Sequence, residues 1–140
     1  MSAWRKQALE TLPEYRQLIE NYETPMALWI ELQYRFSLDY KKLGDDLIGR
    51  FYQYAKWCLE SPGEGDYSSD AGTAAHVAFY EHLTDGRAIQ EDIYRWLSKE
   101  EFLKLEEAFR YHLEPKEYEE FKDSLERRAK FLKQIPKSKK

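Results

Sequence analysis

Hydrophobic positions return every three or four residues along most of this chain, the repeat that lines one face of an α-helix. Alternating apolar and polar runs are missing and Val and Thr are few, so no strand is expected. Ser2 caps a first helix through Glu10. Pro13 opens a second, over 13–22, with Tyr15, Leu18, Ile19 and Tyr22 on one side. Thr24-Pro25, a cap followed by proline, begins a helix over 25–40. Its main stripe is Met26, Trp29, Leu32, Phe36 and Tyr40. A weaker one, Leu28, Tyr34 and Leu38, faces a second neighbour or a partner. The helix over 43–60 buries Leu43, Leu47, Phe51, Tyr54 and Cys58 and turns Asp45, Gly49, Lys56 and Glu60 to solvent.

Residues 61–69 hold one Pro, two Gly and three Ser and read as a long loop. The stretch that follows differs from the rest of the chain. Between Asp70 and Glu81 there is no charged side chain. Gly72, His76, Phe79, Tyr80 and Leu83 share one side of an α-helical wheel, and Ala71, Ala74 and Ala78 share the other. A helix that is apolar or small all round is buried on every side, so residues 71–83 are expected to form a buried central helix capped by Asp70. Thr84-Asp85-Gly86 is a turn, and a short helix carries Ile89, Ile93, Trp96 and Leu97. Ser98 with Glu101 is a capping box opening a helix over 99–113. Glu114-Pro115 starts the last helix, which Pro136 should end, leaving 136–140 as a disordered basic tail. The expected fold is all-α, a single domain over 1–135 with six to seven helices in an irregular bundle around 71–83.

Composition agrees with a packed core: 42% of the 140 residues are hydrophobic and 16% aromatic. The single cysteine, Cys58, allows no intrachain disulfide and sits on an apolar face, where a small buried hydrophobe is the ordinary reading. No apolar run follows the basic residues near the start, and no window is long and apolar enough to span a membrane, so a cytoplasmic address is expected. Charge is uneven. Residues 61–97 carry seven acids against Arg87 and Arg95, whereas 127–140 carry seven bases and no acid. The acidic middle disfavours nucleic acid there and favours a basic protein partner.

Catalytic motifs are missing. The chain has no phosphate-binding glycine loop, nucleophile elbow, H-x-x-x-H or E-x-x-H. His76 and His82 lie about 120° apart on an α-helical wheel, off one face. The sequence therefore implies no metal and no cofactor. A ligand site, if present, would draw on Glu31, His76, Glu81, His82 and His112, with Glu31 and Glu81 notable as carboxylates inside apolar stretches. Those are also the residues of the alternative function, a ligand- or metal-binding helical enzyme. The leading expectation is a non-catalytic interaction module, immunity-like in neutralising a toxin. Its partner surface would use Glu64, Asp66, Tyr67 and Asp85 beside the long loop and the turn at 84–86.

Six short stretches taken in order, Glu23-Thr24-Pro25, Leu28-Trp29-Ile30-Glu31-Leu32, Trp57-Cys58-Leu59, Phe79-Tyr80-Glu81-His82-Leu83, Arg95-Trp96-Leu97 and Tyr111-His112-Leu113, resemble an uncharacterised family of small bacterial all-helical proteins. The resemblance covers roughly residues 12–125. It implies a bacterial, intracellular, single-domain protein and carries no activity or catalytic residue with it.

Overall fold

A computed structural model describes residues 1–63 and 65–138, the last nine of these by their backbone alone. Among the described residues there are nine α-helical segments and no strand. The fold is all-α, as the periodicity predicts. Packing divides the chain into two compact units, Met1–His82 and Leu83–Lys140.

The first unit contains α1 (Ala3–Thr11), α2 (Arg16–Asn21), α3 (Pro25–Asp39), α4 (Asp45–Glu60) and α5 (Ala71–Ala74). α3 starts where the sequence says: the Thr24 hydroxyl accepts the Ala27 N–H at 3.2 Å, and Pro25 fills the first turn. Ser2 stands at the head of α1 but makes no cap bond through its side chain. The helix expected over 13–22 is split, with a 3₁₀ turn at Pro13–Tyr15 before α2. Arg50 on α4 ties that turn down, donating to Glu14 at 2.7 Å and to the Thr11 carbonyl at 3.1 Å.

Aromatic rings fill the interior of this unit. Trp29 of α3 stacks on Tyr54 of α4 at 5.2 Å, and Phe36 meets Phe51 at 4.9 Å. Phe79 lies against Trp29, Phe36 and Tyr52 with centroids 5.0–5.3 Å away. Such edge and stacked contacts contribute about 0.5–1.5 kcal/mol each beyond burial. The central segment thus meets α3 and α4 through Phe79.

Two corrections concern that segment. It is not one α-helix: α5 passes into a π turn at Ala75–Phe79 and a 3₁₀ turn at Tyr80–His82. Nor is it covered on every side. Ala74, Ala75, Ala78 and Phe79 are buried, while Gly72, Thr73, His76 and Val77 are only half-buried. Even at about 100° per residue the four buried positions fall on one arc of the wheel and the four half-buried ones on the next, so a stretch without charge is not thereby a stretch without solvent. Four neighbouring positions then form an inner face, and an outer strip is left open.

The second unit contains α6 (Arg87–Asp92), a 3₁₀ turn at Ile93–Arg95, α7 (Lys99–Lys104), α8 (Glu106–Arg110) and α9 (Pro115–Ser138). The capping box at Ser98 and Glu101 forms in both directions. The helix expected over 99–113 breaks at Leu105. Phe102 and Phe109 stack at 5.0 Å, interplanar angle 13°. Seven residues of straight helix would separate their Cα atoms by about 10.5 Å along the axis, so the break is what lets the rings meet. Phe121 of α9 closes on both rings. α9 continues through Pro136 to Ser138, so the proline does not end it. Near a C-terminus the missing N–H removes a single backbone bond. Of the tail expected over 136–140, Lys139 and Lys140 lie outside the described residues.

Candidate functional site

The π turn brings together two side chains that an α-helix would hold apart. His76 and Glu81 are five residues apart, which on a regular α-helix means about 140° around the axis. A π turn winds more slowly than an α-helix, its backbone bonds running from residue i to i+5, and with the 3₁₀ turn after it the segment departs from regular winding between His76 and Glu81. The Tyr80 N–H bonds the Ala75 carbonyl in this pattern, shared with His76. His76 Nδ1 then stands 3.3 Å from Glu81 Oε2. The Glu81 side chain is only 11% exposed and that of His76 35%. Glu81, one of the two carboxylates noted inside apolar stretches, is buried. A buried carboxylate must be partnered, and the imidazole supplies the partner.

His76 also forms part of the wall of an open groove of about 370 Å³, together with Leu59, Ser61, Asp70, Thr73 and Val77. Local chemistry shapes this groove. A Cβ on Gly72 would stand 3.2 Å from the Cys58 carbonyl oxygen, so glycine lets the segment lie close on the end of α4. Asp70 turns one carboxylate oxygen inward to cap, accepting the Gly72 N–H at 3.0 Å. Ser61 donates to the Trp57 carbonyl at 2.8 Å. The result is a largely apolar recess with Asp70 and the Ser61 and Thr73 hydroxyl residues in its wall and an imidazole next to a buried carboxylate. Such a ring can accept a proton or a hydrogen bond from a bound hydroxyl or amine.

The other candidates are dispersed. Glu31 pairs along its own helix with Arg35 at 3.1 Å. His82 is half-buried and has partners. His112 is exposed, in the second unit, its ring 5.0 Å from Tyr111. Of the five residues proposed from sequence, His76 and Glu81 are brought together. Among the described residues no group of three or more His, Cys, Asp and Glu is placed to hold a metal. Cys58 is buried, accepts the Trp29 indole N–H at 3.5 Å, and burial pushes its thiol up to about 11.

The residues expected to meet a partner are placed as follows. Glu64 lies outside the described residues. Gly65 takes a left-handed φ of 67°, and a turn follows in which the Ser69 and Asp70 N–H groups bond the Asp66 carbonyl at 3.1 Å. Ser68 closes the turn onto α3, its carbonyl accepting the Met26 N–H at 3.3 Å. Tyr67 projects from this pinned turn with 62% of its surface exposed. Hydrogen bonds from Ser69 and Ser68 hold the Asp66 carboxyl below the ordinary carboxylate range. Asp85 is exposed in the second unit and has a partner of its own.

One surface feature was read only in part from the sequence, which grouped Tyr34 and Leu38 with Leu28 and not with Ile30. Ile30, Tyr34 and Leu38 of α3 are 57%, 55% and 63% exposed. Leu28, assigned to the weaker stripe, is buried. The i, i+4, i+8 spacing of the three exposed residues was the available signal.

Comparison with family models, curated proteins and solved structures finds no match in any of the three. No helix among the described residues is long and apolar enough to cross a membrane.

Proposed function

We propose that this chain is a non-catalytic protein-interaction module, in its most concrete form an immunity-like protein of a bacterial cytoplasm that neutralises a basic toxin. The observation that supports this reading is the Asp66–Ser69 turn. It presents an exposed tyrosine beside a carboxylate kept charged, on a backbone already fixed by hydrogen bonds. Aromatic anchors on ordered backbone lose little entropy on docking, and a neighbouring charge steers a basic partner toward them. The test is co-expression of the full chain with the products of the genes beside its own. The expected result is a complex that weakens with salt, with Tyr67→Ala reducing affinity about tenfold or more and Asp66→Asn mainly slowing association. If no neighbouring product binds, or if binding is indifferent to both substitutions, the reading is wrong.

The His76–Glu81 pair favours a second reading, a small-molecule or enzymatic site in the groove. Its readout is NMR of the His76 ring in the full chain while small alcohols and amines are added. Ring shifts that disappear in Glu81→Ala support it. A ring that none of these compounds moves removes it.

A further inference from the structure

We infer that the exposed stripe of α3 is a self-association surface, occupied by α3 of a second copy running antiparallel. Three side chains spaced i, i+4, i+8 form a ridge of the kind that packs against a like ridge on a second helix. Each is more than half exposed, and together they present an apolar patch on the order of 400 Å² per copy.

The sequence around the patch is complementary to itself in one orientation. A two-fold axis through Tyr34, perpendicular to the helix, sets Ile30 against Leu38 of the second copy and Tyr34 against its own equivalent. That operation keeps each flank of the helix beside the same flank of the other copy. Glu31 and Arg35 lie on one flank, where they already pair within the helix at 3.1 Å. After the two-fold, Glu31 of each copy lies about 3 Å along the axis from Arg35 of the other, so the ion pairs become reciprocal. On the opposite flank Gln33 and Ser37, hydrogen-bonded within the helix at 2.6 Å, meet their counterparts in the same way. A parallel pairing forfeits this match, placing the charged flank beside the amide and hydroxyl flank. An apolar patch of this size falls below the roughly 800 Å² per partner of a standard interface, which corresponds to a weak, reversible association.

The test is sedimentation of the full chain from about 10 μM to about 1 mM, with the expected mean mass rising from one chain toward two. Leu38→Glu, at an exposed position that leaves the core intact, should weaken association about tenfold or more. Arg35→Glu alone should also weaken it, and the exchange Glu31→Arg with Arg35→Glu should restore it. Orientation is read by crosslinking. A mixture of Ile30→Cys and Leu38→Cys chains should form mixed disulfide dimers under mild oxidation. Ile30→Cys alone should not, because its equivalents stand about 12 Å apart along the axis, beyond the roughly 7 Å a disulfide can bridge. A chain that stays monomeric throughout, a dimer indifferent to Leu38→Glu, or self-crosslinking of Ile30→Cys as efficient as the mixture overturns the inference.

Discussion

Two carboxylates, one in each compact unit, are held in opposite ways, Glu81 buried and Glu106 half-buried. Glu106 on α8 takes the Tyr118 hydroxyl in a short hydrogen bond and the Lys122 ammonium at 3.4 Å, both from α9. Glu81 takes His76, from five residues earlier in its own segment. The first arrangement fastens one helix to another. The second fastens nothing tertiary, because both partners already travel together. A pair of that kind stabilises the turn that makes it, and it leaves an oriented imidazole on a groove wall. The contrast shows that burial alone does not mark a carboxylate as structural; the origin of its partner has to be asked as well.

This contrast can be broken most severely at the ring beneath the π turn. Phe79→Ala should cost the first unit about 3–5 kcal/mol in denaturant unfolding, because Trp29, Phe36 and Tyr52 all lose a partner. A cost under about 1 kcal/mol would mean that the segment is seated by something else. Next is Tyr118→Phe, which strips a hydrogen bond from a charged group and should cost about 1.5–3 kcal/mol. Set beside it, Glu81→Gln keeps an acceptor for His76 and removes a buried charge, so it should change stability by less than about 1 kcal/mol. If Glu81→Gln proves the costlier of the two, the distinction drawn between the carboxylates fails. Ser98→Ala, which removes a cap without touching either pair, should cost about 1 kcal/mol and sets the scale of a purely local loss.

The smallest effect is one of pH. The Tyr118 hydroxyl, helped by Lys122 against some burial, holds Glu106 below the ordinary carboxylate range. A carboxyl depressed by folding stabilises the fold above its unfolded value, and that contribution fades as the pH falls through the folded value. Unfolding midpoints should therefore drop on acidification below the ordinary carboxylate range, and Glu106→Gln should flatten that part of the profile. A variant with the same acid slope as the parent would locate the titrating group elsewhere.

How far the sequence reveals this molecule depends on the range of the interactions involved. Helix starts at Thr24 and Ser98, and the Asp70 cap, are legible because a cap bonds residues two or three positions on. The main stripe of α3 is legible for the same reason of period, and Trp29, Leu32 and Phe36 are fully buried. The break at Leu105 is not, since it follows from Phe102 and Phe109 stacking and carries no glycine or proline. The π turn has no local signature either. A wheel drawn at constant rotation sets His76 and Glu81 on different faces and hides the one pairing that makes a candidate site. Periodicity marked Tyr34 and Leu38 as a stripe but could not say that it lies open, because cover depends on what the rest of the chain brings there. The partner-facing residues were legible in part: a Ser-rich loop with Asp66 and Tyr67 announces itself, but the hydrogen bonds that pin it do not.

The π turn has a consequence for how this chain tolerates insertion and deletion. Between Ala74 and Leu83 the number of residues decides which way each later side chain points, since one residue more or less rotates everything beyond it by about 100°. With the count unchanged, Phe79 reaches the aromatic interior while Glu81 finds His76. Shorten the segment by a single position and its two halves no longer keep their present alignment. Descendants of this sequence should therefore exchange side chains here far more freely than they change the spacing.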